Sequence, residues 1–345
     1  MTLSLLQGGP QSRVRVEDKS QVGECRRIAQ RLAESQDFDA TQVGRVGIVA
    51  TELANNVLTH ARRGELLVQA LHHGNDVSIE LVAIDRGPGM EVETCMRDGH
   101  STAGTAGTGL GAVLRLSTLF DVYSLIDQGT VAVARISRQN QAGGERAQRR
   151  GTAADFGAIC LPLEGELDCG DTWRIAVSEG SMAVLVADGL GHGWLAAAAS
   201  LAAAESFSEN PFERPSEAMQ HLHAKLAGGR GAAAAVAILD HASAKVTYAG
   251  VGNIAGSVVS AERSKGMVSH NGIVGGQLLR KQQFEYEFLE GSRVVMHSDG
   301  MSARWSLAAY PGLFARHASV VAAVLYRDHA RARDDITVVV AGGCL

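Results

Sequence analysis

Two α/β (α+β) domains joined by a flexible linker are what this sequence predicts, and three observations carry that reading. The chain has 345 residues, which favours two domains, and either half is long enough to bury its own core. A polar stretch at 138–151 has two adjacent glycines and no apolar periodicity. Runs of helical period and short apolar runs of strand length occur together on both sides of it. The expected division is therefore a first domain at 1–137, a linker at 138–151 and a second domain at 152–345.

Composition bounds the function class. Net charge is −5 and 46% of the residues are apolar, as in an ordinary globular chain, so neither nucleic acid nor an anionic membrane is expected as a partner. No apolar run reaches the roughly 18 residues needed to span a bilayer. Met1 to Pro10 lacks the charged start and apolar core of a signal peptide. Cys25, Cys95, Cys160, Cys169 and Cys344 are odd in number and form no CxxC, which suggests reduced thiols and a cytoplasmic location.

In the first half, Arg13 to Val16 alternates and reads as a strand. Val22, Cys25, Ile28, Ala29 and Leu32 recur at helical spacing, predicting a helix over 19–35. A second helix is expected over 39–61, with Val43, Val46, Val49, Leu53 and Val57 on one face. Glu52 and Asn56 lie four apart on it, hence one turn apart on one side. Taken alone, they are an ordinary surface polar pair.

Strands follow at Leu66–Leu71 and Val77–Ile84, the second ending in Asp85-Arg86-Gly87-Pro88-Gly89. A glycine-rich segment, Thr102 to Gly111, feeds a helix expected from Ala112 to Leu119. Free backbone amides at such a junction suit a phosphate. The segment is neither a P-loop, lacking GxxxxGK[ST], nor a Rossmann fingerprint, since its spacing is GxGxG outside any βαβ unit. Strands at Asp121–Ile126 and Val131–Ile136 close the half.

Together, Glu52-x-x-x-Asn56, Asp85-x-Gly87-x-Gly89 and Gly107-x-Gly109-x-Gly111 resemble the three nucleotide boxes of the GHKL ATPase/kinase superfamily. Over about residues 10–137 the pattern looks like the small anti-sigma serine kinases of the RsbT type. The resemblance implies an α/β sandwich with ATP held between a mixed sheet and the helices. It also implies roles. Asp85 would accept from the adenine amino group while Gly87 and Gly89 lie against the base. Asn56 would bind magnesium, and Glu52 would take the proton from an incoming serine hydroxyl. Gly107, Gly109 and Gly111 would lie over the phosphates, with Thr102 and Leu110 in the same nucleotide-binding segment. His60 and His100 read as solvated or capping histidines.

The second half alternates strands, at 156–163, 172–178, 182–187, 232–239, 245–250, 254–260, 283–289, 292–297 and 336–341, with helices at 192–208, 215–227 and 312–329. This pattern suggests a β-sandwich flanked by helices. Four aspartates sit at strand ends, namely Asp171, Asp188, Asp299 and Asp334. A single Asp-Gly pair is usually a turn. Four such carboxylates in one domain look like a two-metal hydrolase centre, with the Gly189 carbonyl as a further ligand. Asp335 reads as a turn-shaping residue. His192 is either a proton donor to the leaving oxygen or a loop-stabilising group.

Gly170-Asp171, Ala187-Asp188-Gly189-Leu190-Gly191-His192-Gly193, Ser298-Asp299-Gly300 and Asp334-Asp335-Ile336-Thr337 resemble the metal motifs of the metal-dependent protein Ser/Thr phosphatases, in their bacterial SpoIIE/RsbX branch. Gly250-Val251-Gly252-Asn253-Ile254 and Asn271 to Gly275 look like the RsbX type. Two Mg²⁺ or Mn²⁺ ions are implied, with Asp188 bridging them. The residue that grips the substrate phosphate stays unassigned.

The combined resemblance implies a bifunctional partner-switching regulator. It would phosphorylate, and dephosphorylate, a serine or threonine on a STAS-domain anti-sigma-factor antagonist. A homodimer is compatible with this reading. Two alternatives stand beside it: a phosphatase whose first domain only binds nucleotide or a STAS partner and gates it, and a general phosphatase with unrelated substrates.

Overall fold

Asp18 and Asp39 start the two long helices of the first half, each through a reciprocal capping box. Their carboxylates accept from the first turn, while Gln21 and Gln42 reach back to the cap N–H groups. Each cap is worth about 1 kcal/mol. The structure, a computed structural model, describes residues 3–92, 109–138, 155–276 and 282–342. It divides into two compact units, Gln11–Ala142 and Met1–Pro10 with Gly143–Leu345.

The chain begins with strand β1 (Ser4–Gly8), which falls in the second unit. The first unit comprises β2 (Ser12–Val16), α1 (Lys19–Ser35), α2 (Ala40–Asn56), β3 (Gly64–His73), β4 (Asp76–Asp85), α3 (Gly109–Leu116), β5 (Leu119–Leu125) and β6 (Gly129–Ser137). Its strands run in the order β2-β3-β4-β6-β5, and these pairings are antiparallel where the resemblance implied a mixed sheet. The helical stripe foreseen for α1 supplies Val22, Cys25 and Ala29, and α2 supplies Val46, Val49 and Leu53. Both pack on Leu66, Val68, Ile79 and Leu81 of the sheet. Each large side chain so buried contributes roughly 1.5–3 kcal/mol.

The second unit holds β7 (Phe156–Leu161), β8 (Asp171–Ser178), β9 (Ser181–Gly189), α4 (Trp194–Glu209), α5 (Pro215–Leu226), β10 (Ala232–Asp240) and β11 (Lys245–Val251). It continues with β12 (Ala255–Val259), β13 (Ser264–Met267), β14 (Ser269–His270), β15 (Phe284–Glu287), β16 (Arg293–His297), α6 (Ala318–His329) and β17 (Ile336–Gly342). One sheet runs β1-β8-β9-β10-β11, with β14 and β15 both on β11. The other runs β13-β12-β16-β17-β7. Helices α4 and α5 cover the first sheet, where alanines at 199, 203, 204, 232 and 234 allow close approach. Helix α6 covers β7 and β17. The result is the expected sandwich flanked by helices.

Several elements differ from the sequence expectation: the helix expected at Ala112–Leu119 runs from Gly109 to Leu116, and the strands β13 and β14 were not foreseen. β1, within the stretch assigned to the first domain, pairs with β8 through Leu5↔Ala176 and Leu6↔Ile175. The helix foreseen at 39–61 loosens after Asn56 into a π-helical turn, Val57–Ala61. The helix foreseen at 312–329 starts only at Ala318, because the His317 ring accepts from Ser319 N and caps it there. No helix among the described residues is long and apolar enough to cross a membrane.

Candidate functional site

Each unit gathers its own set of sequence-predicted residues. In the first, the last turns of α2 carry Glu52 and Asn56 to the start of α3. A Cβ built on Gly109 would lie 3.0 Å from Glu52 Oε2 and 3.7 Å from Asn56 Oδ1, so both side chains reach the start of α3. Asn56 Nδ2 is buried without a hydrogen-bond partner. The π-helical turn begins at the very next residue, as such turns often do beside functional groups.

Asp85 ends β4, and its Oδ1 accepts from Gly87 N at 2.8 Å and from Thr130 N at 3.2 Å. The loop after it is tied to the β5–β6 hairpin. Asp127 N donates to the Pro88 carbonyl at 2.8 Å, and Met90 N donates to Ser124 Oγ at 2.9 Å. Sequence reasoning missed this hairpin anchor, because Ser124 and Thr130 look like ordinary strand residues. Leu110 and Gly111 lie in the first turn of α3. Thr102, Gly107 and His100 lie outside the described residues.

In the second unit, Asp171 opens β8 and stands directly opposite Asp188 of β9 in the antiparallel register. Opposed residues share a face of the sheet, so two like charges are forced together. Asp171 is 3% exposed. Its Oδ2 accepts from Ser298 Oγ at 2.6 Å, while its Oδ1 is buried with no partner. Ser298 Oγ in turn accepts from Thr337 N at 2.9 Å, which ties Asp171 to β17.

Asp299 follows Ser298. A Cβ on Gly300 would lie 2.0 Å from the Asp335 carbonyl, so glycine lets the Asp299 turn press against Asp334-Asp335. Asp299 Oδ1 is a second buried oxygen without a partner. Asp335, expected to shape its turn, accepts from Leu163 N at 2.7 Å and Gly170 N at 2.9 Å.

Electrostatics agree with the geometry. Burial, then the Asp188 charge, pushes Asp171 well above the usual carboxylate range. Burial, then Asp299 and Asp334, pushes Asp188 up to about 7. Asp334 is raised as well, chiefly by burial. Carboxylates crowded in this way are stabilised by a cation. Among the described residues no three His, Cys, Asp or Glu side chains close into a ready-made ligand cluster. Asn253 Nδ2 instead stands between two of the carboxylates, 2.7 Å from Asp299 Oδ2 and 3.4 Å from Asp188 Oδ2. The hard oxygen donors and the two orphaned carboxylate oxygens fit magnesium or manganese.

His192 is exposed, and its Nδ1 lies 2.7 Å from Glu166 Oε1. Neither Asn253 nor Glu166 was singled out from the sequence as a site residue. The signal for Asn253 was its place in the Gly250–Ile254 motif. Nothing local marked Glu166.

Residues 16–136 match the family model described as the histidine kinase-like ATPase domain. Residues 178–342 match that of stage II sporulation protein E (SpoIIE). The chain is a fusion of a histidine kinase-like ATPase domain with a SpoIIE-type phosphatase domain. The ATPase–phosphatase fusion is 29% identical over 121 residues to the serine/threonine-protein kinase RsbT of Bacillus subtilis (strain 168), covering 35% of this chain and 91% of that one. It is 25% identical over 143 residues to the phosphoserine phosphatase RsbX of the same strain, covering 41% of this chain and 72% of that one. A solved structure described as "The bacterial stressosome: a modular system that has been adapted to control secondary messenger signaling" is 30% identical. It aligns with a TM-score of 0.50 over 55% of this chain and 100% of that one. The fusion therefore has the architecture of a partner-switching regulator.

Proposed function

We propose that the fusion both phosphorylates and dephosphorylates a serine or threonine of one STAS-domain antagonist in the cytoplasm. The observation that carries the phosphatase half is the Asp171–Asp188 pair, like charges in direct register with an orphaned oxygen beside them. Asp171, Asp188, Asp299, Asp334 and the Gly189 carbonyl would hold two Mg²⁺ or Mn²⁺ ions. Such ions supply an activated water and neutralise phosphoryl charge. Ser298 fixes the rotamer of Asp171, and Asn253 orients Asp188 and Asp299. Glu166 holds the His192 ring in one orientation at the loop after Gly189. That placement suits protonation of the leaving serine oxygen.

In the ATPase domain, Asp85 accepts from the adenine amino group, and its fixed Oδ1 orients the carboxylate. Asn56 would hold the magnesium of Mg-ATP through its side-chain oxygen. Glu52 takes the hydroxyl proton as the γ-phosphoryl group is transferred. Thr102, Gly107, Gly109, Leu110 and Gly111 bind the phosphates. Positioning and charge neutralisation supply most of phosphoryl-transfer catalysis. RsbT-like and RsbX-like halves in one chain support one shared substrate class. Tethering holds each site at high local concentration near the other's product.

The test of the phosphatase half is release of inorganic phosphate from a serine-phosphorylated STAS protein. Release is expected with manganese and none with a chelator. Equal release in both would remove the two-metal reading.

A further inference from the structure

Two thiols that the proposed chemistry does not use lie against each other beside the acidic centre. Cys160 sits in β7, in register with Thr337 of β17, and Cys169 lies two residues before Asp171. Both are free, and their sulfurs are 3.7 Å apart. Cys160 Sγ also donates to the Asp171 carbonyl at 3.7 Å. Sulfurs at that separation are in contact, and a disulfide needs them to close to about 2.0 Å. β7 is paired with β17 from Phe156 to Leu161, so it has little freedom to shift. The adjustment falls on the Cys169 side.

The segment between the two thiols is suited to that movement. Residues 162–170 form no helix or strand, and Glu164, Gly165, Leu167 and Asp168 are exposed, Leu167 at 95%. Asp335 fastens the two ends of the segment, accepting from Leu163 N and from Gly170 N. Cys160 is 2% and Cys169 4% exposed, so a small reagent reaches them when the segment opens locally. Cys169, on the segment, meets the reagent first, and Cys160, held in the sheet, resolves it. The Gly170 carbonyl accepts from Gly189 N at 3.0 Å, and the segment also carries Glu166, the partner of His192. Drawing Cys169 toward β7 therefore pulls on Asp171, Gly189 and His192 together.

We infer that Cys160 and Cys169 form a reversible disulfide, made by a hydroperoxide and undone by a small thiol, that switches off the acidic centre. The Cys169 sulfur attacks one peroxide oxygen: an S–O bond forms, the O–O bond breaks, and the thiol proton leaves with the other oxygen as water. The Cys160 sulfur then attacks the Cys169 sulfur. The S–S bond forms, the S–O bond breaks, and a second water leaves with the Cys160 proton. The two thiols are oxidised by two electrons and the peroxide is reduced by two. Excess small thiol reverses the bond by exchange. In a reducing cytoplasm such a bond is transient and reports oxidant. The site stands on its geometry; its consequence rests on the phosphatase reading and adds regulation to it. Oxidation then leaves the substrate phosphorylated, because the ATPase half is untouched.

The experiment treats the full chain with hydrogen peroxide, removes the peroxide, and reads two quantities before and after dithiothreitol. The first is peptide mass. Residues 151–174 form one tryptic peptide holding both thiols, so the disulfide appears there as the loss of two hydrogens, separate from Cys25, Cys95 and Cys344. The second is hydrolysis of p-nitrophenyl phosphate with manganese. Wild type is expected to lose the two hydrogens and to lose hydrolysis by about 10- to 100-fold, as small misplacements at a catalytic centre do. Dithiothreitol is expected to restore both. Cys160→Ala and Cys169→Ala are each compared with their own untreated sample, so that a stability cost of the substitution does not imitate protection. Each is expected to keep its activity through the treatment. A wild-type peptide that stays reduced overturns the proposal, as does a disulfide that leaves hydrolysis unchanged, or equal inactivation of Cys169→Ala. A disulfide in a chain that hydrolyses nothing when reduced keeps the modification site and removes the phosphatase reading.

Discussion

Asp188→Asn is expected to lower phosphoserine hydrolysis by about 10³-fold or more, since the ions it would hold are worth several kcal/mol in the transition state. Asp188 stands opposite Asp171 and shares the Asn253 amide with Asp299, so no neighbour replaces its second oxygen. The same substitution acts on stability with the opposite sign. Burial and the Asp299 and Asp334 charges raise Asp188 from 3.8 to about 7 in the folded chain. A carboxyl whose folded value lies above its unfolded value favours folding while protonated. Its contribution is full below about pH 4 and is lost as pH rises through about 7. In chelator, wild type should therefore lose stability between about pH 4 and pH 7, and Asp188→Asn should lose less. Asp171 and Asp334 are also raised, so some slope remains in the variant. Denaturant midpoints across that range check the expectation. Identical slopes in the two proteins would mean that Asp188 is not strained by its neighbours.

The second large effect is expected at Asp85→Asn, which should weaken ATP binding by about 10²-fold or more. Oδ1 of Asp85 is occupied by the Gly87 and Thr130 N–H groups. An asparagine keeps that bond through its oxygen and turns an NH₂ toward the adenine amino group, setting donor against donor. A site built to pair a polar group rejects the mismatched version strongly. Glu52→Ala behaves differently: ATP affinity stays near wild type, while transfer to a protein hydroxyl falls by about 10²- to 10⁴-fold. Calorimetric titration with Mg-ATP separates the two. Wild-type affinity in Asp85→Asn would place the adenine elsewhere.

Much of this was legible in the sequence because its signals are local. The amphipathic stripe of α1 is a short-range fact, and strand-end aspartates are visible as residue types at strand ends. The parts that escaped are made by distant partners. β1 is five residues long with little pattern of its own, and it is a strand because β8 offers an edge. The π-helical turn after Asn56 keeps helical periodicity, so no sequence pattern separates it from α2. Asn253 reaches Asp188 from 65 residues away, and Glu166 reaches His192 from 26.

The central claim is that one chain adds and removes the same phosphoryl group. The most direct measurement follows label from γ-labelled Mg-ATP on a candidate STAS protein, with manganese present, comparing wild type and Asp188→Asn over time. The account predicts stable label on the STAS protein with Asp188→Asn and transient or absent label with wild type. No label with either, for a STAS protein that binds the chain, would contradict it and leave the ATPase domain as a nucleotide-dependent gate on the phosphatase.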